Sequence, residues 1–161
     1  MMIKVLEDLD VKLLLDCYNE IEKHIQWSEY PNGKQAGLQY REGNEPWKDA
    51  VGRAKPGDNW NTSNIINQHL KDTIFEDIIK KHNLTRTRFM WLKPYSCYSM
   101  HKDDSVRFHI PLITNTYCYF VFKEEGLFNM PAGHAYWVDT LKEHTAMNCS
   151  DKWRLHFLAA L

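Results

Sequence analysis

From Thr85 to Leu161 the chain runs in short stretches of Val, Ile, Phe, Tyr and Trp, each stopped by Pro, Gly, Asn or Asp. This rhythm constrains the fold more than any other feature, because β-branched and aromatic residues suit a pleated, half-buried surface and the stops mark turns. Strands are expected near 87–93, 96–101, 106–114, 117–122, 127–130, 134–139 and 153–160. Ahead of them lie two apolar stripes of helical period. Val11, Leu14, Leu15, Tyr18, Ile21 and Ile25 predict a helix over about residues 9–25. Ile65, Ile66, Leu70, Ile74, Ile78 and Ile79 predict a second, with Thr62 or Ser63 as its cap and Asn83 at its stop. Two helices followed by about seven closely spaced strands point to a mainly β sandwich or jelly roll with buttressing helices, not an alternating parallel sheet.

Between the helices, residues 26–61 break into Pro, Gly, Asn and charge, yet carry Trp27, Tyr30, Tyr40, Trp47 and Trp60. So many aromatics argue against disorder. Two readings stay open: a packed coil with a short strand near Leu38 to Arg41, or a lid that faces a ligand. The 161 residues suit one domain, with a helical and loop part over 1–86 and a β core over 87–161.

Twenty basic residues against 21 acidic ones leave a net charge of -1, which gives no electrostatic footprint for nucleic acid or an anionic membrane. Acidic residues interrupt the amino terminus before a long apolar run forms, so neither a secretory signal nor a membrane span is expected. Cys17, Cys97, Cys118 and Cys149 are scattered without a CxxC pair, as for free thiols in a cytoplasmic protein. Cys97 and Cys118 fall on expected strands and read as buried, inert thiols.

Within the β region, His101 and Asp103 stand two apart in Met-His-Lys-Asp-Asp, and on an extended backbone they point to one side. Asp104 competes for the same role, but the strand period turns it to the opposite face. With His144 downstream, two imidazoles and one carboxylate make the ligand set of a non-haem Fe(II) site that keeps positions open for O2 and a co-substrate. Arg154 follows ten residues later in an otherwise apolar strand; alternation with His156 permits either face, outward to water or inward, where a charge needs a partner. Arg107 and His109 also alternate, with Phe108 and Ile110 between and beyond them, as suits a polar cavity wall. Arg88 is a further candidate on the first strand. His24, His69, His82, His134 and His156 lack a partner pattern and read as structural or surface residues. Tyr95, Tyr98, Tyr117, Tyr119 and Trp137 are candidates for a cavity lining, although aromatics at strand alternation are more often core.

The runs HKDDSVRFHIPLITNT and LFNMPAGHAYWVDTLKEHTAMNCSDKWRLHFL resemble the 2-oxoglutarate- and Fe(II)-dependent oxygenases, in the branch of aspartyl/asparaginyl β-hydroxylases and bacterial proline hydroxylases. The likeness rests on the ensemble: HxD, Arg-Phe-His-Ile-Pro-Leu, Trp-Val-Asp, then His and Arg ten apart. Aspartyl/asparaginyl β-hydroxylases carry glycine where this chain has Asp103, which on that point is closer to the proline hydroxylases.

The resemblance implies a double-stranded β-helix of the cupin-like, jelly-roll type. It implies iron on His101, Asp103 and His144, and 2-oxoglutarate anchored by Arg154 with His109 beside it. Arg107 and Arg88 would then meet a carboxylate of the substrate. The implied reaction consumes O2 and 2-oxoglutarate, releases succinate and CO2, and hydroxylates an aspartyl, asparaginyl or prolyl side chain, free or in a peptide or protein. Asp103 favours hydroxylation over halogenation, which in related enzymes uses a halide where the carboxylate is missing. The rival reading is a cupin-like metal-binding module without turnover, which has no need of Arg154.

Overall fold

The computed structural model describes residues 1–55 and 57–161. Strand β1 (Ile3–Asp8) leads into α1 (Val11–Glu22), followed by β2 (Ser28–Tyr30), β3 (Gly33–Gly37) and β4 (Gln39–Tyr40). After a long connection come β5 (Ile65–Ile66), α2 (Ile74–Lys81), β6 (Thr85–Leu92) and β7 (Ser96–Cys97). The chain then forms β8 (Arg107–Ile113), β9 (Cys118–Phe122), β10 (Gly126–Asn129), β11 (His134–Val138), β12 (His144–Asn148) and β13 (Arg154–Ala160).

The first helix begins where expected, because the Asp10 side chain accepts from the Leu13 amide at 3.1 Å and caps it. The second starts later than its apolar stripe predicts. Ile65 and Ile66 pair with β4, Gln68–Leu70 make a single 3-10 turn, and only Ile74 onward is α-helical. Tertiary contacts override the period here: the Asn67 amide donates to Leu38 O at 2.9 Å, and its side chain accepts from the His69 amide at 3.1 Å. Neither Thr62 nor Ser63 caps α2. Thr73 does, accepting from the Glu76 amide, while Glu76 reaches back to the Asp72 amide at 2.7 Å. Asn83, in the left-handed region at φ 50°, ends the helix as expected.

The strands form two main antiparallel sheets, one of seven strands in the order β1-β11-β8-β13-β6-β3-β2 and one of four in the order β10-β9-β12-β7, with β4 and β5 as a separate pair. This is the mainly β, jelly-roll architecture with helices on the outside. On the outer face of the large sheet, Phe89, Phe108, Ile110, Leu155 and Phe157 pack against Tyr18, Leu14 and Phe75, all at most 2% exposed. Fully burying each such side chain contributes about 1.5–3 kcal/mol. A smaller cluster of Phe120, Phe122, Met130, Tyr136 and Val138 closes one end of the space between the sheets.

Three expectations change at this level. The 1–86 part, read as helix and loop, also supplies β1, β2 and β3 to the large sheet. The 26–61 stretch, of which position 56 lies outside the described residues, contains the short strand expected near Leu38 to Arg41 as β4, with β2 and β3 in addition. Gly33 permits its close docking, because a Cβ there would lie 1.9 Å from Trp91 O. Strand β12 is also new: His144–Asn148 has neither the aromatics nor the run of branched residues that mark a strand, and it is held by β9 and β7 on its two sides. All four cysteines are free; Cys118 is buried as read, but Cys97 is exposed because it alternates outward beside Met147. Among the described residues no helix is long and apolar enough to cross a membrane.

Candidate metal centre and active site

Backbone pairing assembles the centre. His101 lies beyond β7 and forms an isolated bridge with His144, the two residues exchanging N–H···O bonds of 3.0 and 2.8 Å. Asp103 is tied to the turn ahead of β12 by its amide, which donates to Thr140 O at 2.8 Å. Residues 43 apart are thereby brought together, and one ligand atom from each of His101, Asp103 and His144 lies within 4.8 Å of the other two. Among the described residues this is the one cluster of three or more His, Cys, Asp or Glu that could hold a metal.

Each imidazole is aimed by its own backbone. His101 Nδ1 lies 2.7 Å from Ser99 O and His144 Nδ1 lies 2.8 Å from Lys142 O. A carbonyl only accepts, so Nδ1 carries the proton in both rings and Nε2 is left as a lone pair. Those Nε2 atoms each stand 3.9 Å from an oxygen of Asp103. Burial holds the His144 pKa below the usual histidine value, with His101 adding to the effect, and so keeps the ring neutral as a metal ligand requires. Asp104 is turned outward and takes no part in the cluster, as the strand period predicts.

Arg107 supports the carboxylate. Its Nε donates to Asp103 Oδ2 at 2.9 Å and its Nη2 to Asp104 at 3.1 Å, while Nη1 meets the Ser105 hydroxyl. The guanidinium is buried, and three of its five N–H donors go to these residues.

Further along the inner face lies a polar group of three. Arg154, His156 and His109 are all buried; Arg154 Nη2 donates to His156 Nδ1 at 3.2 Å, and His109 Nδ1 lies 3.4 Å from the same atom. His156 therefore faces the site and is not the surface or purely structural residue that its lack of a sequence partner implies. Because its Nδ1 accepts, its proton is on Nε2, and that donor has no partner. Arg154 Nε is likewise buried and unpaired. Burial draws the Arg154 pKa down to about 10, and pushes both histidines well below their usual range. A buried guanidinium with no carboxylate partner, together with two orphaned donors, its own Nε and His156 Nε2, fits an anionic group such as a carboxylate of 2-oxoglutarate.

Of the remaining candidates, Arg88 is buried, bonding Ala50 O at 3.1 Å and Met90 Sδ at 3.2 Å. Tyr98 stands beside Gln35 between Arg88 and Arg154 and lines the space. Tyr119 alternates to the outer face opposite Met147, Trp137 pairs with the outward Phe108, and Tyr95 and Tyr117 are exposed. Arg86, which sequence reasoning passed over, is buried near Arg107 and Asp103.

Comparison with known proteins agrees with this architecture. The Aspartyl/Asparaginyl beta-hydroxylase family model matches residues 18–161, and the chain belongs to that family. It is therefore an oxidoreductase of the hydroxylase kind, dependent on Fe(II), 2-oxoglutarate and O2, which sets aside the module without turnover. No protein of curated function matches it in sequence.

Among solved structures, a 2OG-Fe(II) oxygenase family oxidoreductase from Burkholderia pseudomallei superposes with a TM-score of 0.62 at 13% identity, covering 98% of this chain and 82% of its own. The viral collagen prolyl hydroxylase of Paramecium Bursaria Chlorella virus-1, in its 2OG complex, gives 0.54 at 11%, covering 100% and 97%. IDO from Bacillus thuringiensis gives 0.52 at 11%, covering 92% and 82%. At such identities these three show the shared fold.

Proposed function

We propose that this protein hydroxylates an aspartyl, asparaginyl or prolyl side chain, in a peptide or as a free amino acid, with release of succinate and CO2. His101, Asp103 and His144 hold the iron, and Arg154 with His109 and His156 receives 2-oxoglutarate. The observation that carries the reading is the convergence of two Nε2 lone pairs and a carboxylate within 4.8 Å, on the same inner face as unpaired buried donors. When bound, Fe(II) with 2-oxoglutarate supplies the oxidising power for O2-dependent hydroxylation.

The chain's own residues do the positioning. Ser99 O and Lys142 O fix the two imidazoles, and Arg107 fixes the carboxylate. Arg154 Nε and His156 Nε2 supply donors to the distal carboxylate of the co-substrate, and Phe120, stacked on His144 at 5.0 Å, keeps water from that side. Because Arg107 already pairs with the carboxylates of Asp103 and Asp104, the substrate carboxylate that Arg107 and Arg88 were expected to meet passes chiefly to Arg88.

An anaerobic titration tests this: Fe(II) and 2-oxoglutarate together should give the weak visible charge-transfer band of a chelated iron site, and O2 with amino-acid or peptide candidates should then yield succinate. No band in protein that retains its fold would remove the iron and 2-oxoglutarate assignment.

A further inference from the structure

We propose that Arg86 and Arg88 form a second anion-binding subsite, apart from the 2-oxoglutarate anchor, which takes a ligand carrying two carboxylates. The proposal deepens the functional reading above, in that the ligand is the compound to be hydroxylated.

Both guanidinium groups are buried, Arg86 at 2% exposure and Arg88 at 7%. Among the described residues neither has a carboxylate within ion-pair distance. Arg86 donates to Gly52 O at 2.7 Å and stacks 4.0 Å over Trp60, and Arg88 donates to Ala50 O at 3.1 Å. None of these partners is an anion, and Arg86 Nε has no partner at all. The nearby acids are already engaged: Asp103 and Asp104 by Arg107, and Asp58 by Arg41 at 3.7 Å.

Arginine does not escape burial by losing its proton. Burial draws the Arg86 pKa down to about 10, with Arg107 adding to the effect, and pushes that of Arg88 well below its usual value, with Arg86 and Arg107 adding; the two carboxylates that share this space, Asp103 and Asp104, are both held by Arg107. A buried charge persists only where something pairs it. Neither Asp103 nor Asp104 is within ion-pair distance of Arg86 or Arg88, so one carboxylate on each guanidinium supplies the two missing ion pairs.

Backbone geometry separates this subsite from the co-substrate anchor. On β13, Arg154 stands opposite Leu92, while Arg88 is opposite Leu158, four residues on. At the strand rise of about 3.3 Å per residue that is roughly 13 Å. Arg86 is itself in the left-handed region, at φ 52°, where the register of β6 against β13 shifts. A non-glycine residue holds that conformation inside a strand only when its surroundings impose it, and such residues gather at ligand sites. The carbonyls of Ala50 and Gly52 belong to the segment between β4 and β5, so this segment forms the back wall. The burial of both guanidinium groups favours a small molecule or a chain end over a polypeptide passing through.

Calorimetric titration of the anaerobic Fe(II)- and 2-oxoglutarate-loaded protein decides the matter. Free aspartate or glutamate should bind at least about tenfold more tightly than asparagine or glutamine, the ratio expected from one charge-assisted hydrogen-bonded pair. A peptide ending in aspartate carries the same two carboxylates, and its binding in place of the free acids would identify a chain end as the source. Arg86→Gln and Arg88→Gln should each erase the preference for acid over amide while leaving the Fe(II)–2-oxoglutarate band intact. Without ligand neither should melt below the parent, since an unpaired buried cation has been removed.

Equal binding of acid and amide by the parent protein would overturn the proposal, and that comparison needs no variant. So would an internal, capped aspartyl peptide binding as tightly as the two-carboxylate ligands, or an acid preference that survives in both variants. Loss of the iron band in the parent would instead count against the functional reading, which the binding titration does not measure.

Discussion

Asp103 is the most constrained of the candidate ligands, because its carboxylate is oriented by Arg107 at 2.9 Å while facing both imidazoles. Asp103→Ala should abolish iron-dependent turnover, and Asp104→Ala should retain most of it, since Asp104 touches only Arg107 on its outer side. Full activity in the Asp103 variant would show that the other carboxylate binds the metal. Arg107→Ala should weaken Fe(II) affinity about 10- to 100-fold, the usual loss when the partner of a metal ligand is removed; metal titration of the apoprotein reads this directly, and unchanged affinity would return Arg107 to a role in substrate binding. At Arg154, lysine keeps the charge but loses the fork. Arg154→Lys should weaken 2-oxoglutarate binding by about 1–3 kcal/mol, seen as a raised apparent constant in succinate assays. If 2-oxoglutarate dependence did not move, the buried donors at Arg154 and His156 would serve some other anion.

At the scale of elements, α2 depends on Thr73, whose hydroxyl and the Glu76 carboxylate cap it reciprocally. Thr73→Ala should lower stability by about 1 kcal/mol in chemical denaturation, with iron binding unaffected because α2 lies on the opposite face of the large sheet. A loss near zero would mean that packing of Phe75 and Ile78 alone starts the helix. This cap was hidden in the sequence by the apolar stripe that begins at Ile65, whose first members pair as a strand under tertiary control. The strands from Thr85 onward were legible because their aromatics and branched residues serve burial and pairing together. β3 and β12 were not: Gly-Lys-Gln-Ala-Gly and His-Thr-Ala-Met-Asn are extended only because neighbours on either side supply their hydrogen bonds. The site divides in the same way. Alternation put His101 with Asp103, and Arg107 with His109, on shared strand faces, whereas His144, Arg154 and Arg88 were joined to them by the family resemblance, since alternation alone left Arg154 free to face either way. Arg86 escaped because a backbone irregularity, which no residue pattern announces, determines where it points.

Across the whole molecule, the inner face of the jelly roll buries several titratable groups between two sheets, and this ties global stability to pH. His109 and His156 have their pKa values pushed well below the usual 6.5 by burial, with Arg154 adding to the effect, and His144 moves the same way. In the unfolded chain these histidines take up protons near their ordinary value, whereas the native protein refuses them until lower pH. The unfolded state then binds more protons, so stability is fully present above about pH 6.5 and falls as pH drops below it. The slope is about 1.4 kcal/mol per pH unit for each proton so excluded. Metal-free protein should therefore melt at lower temperature at pH 5.5 than at pH 7.5, and Fe(II) should widen the gap, because it binds the neutral His101 and His144 and stabilises the folded state only where they are unprotonated. His156→Gln should flatten the metal-free dependence by removing one excluded proton while leaving the Fe(II) increment in place, since His156 is not among the three ligands. Thermal scans at both pH values, with and without Fe(II), read all four quantities. A melting temperature that did not fall toward pH 5.5 would mean that the buried histidines accept protons in place, and that the interior between the sheets is wetter than its packing implies.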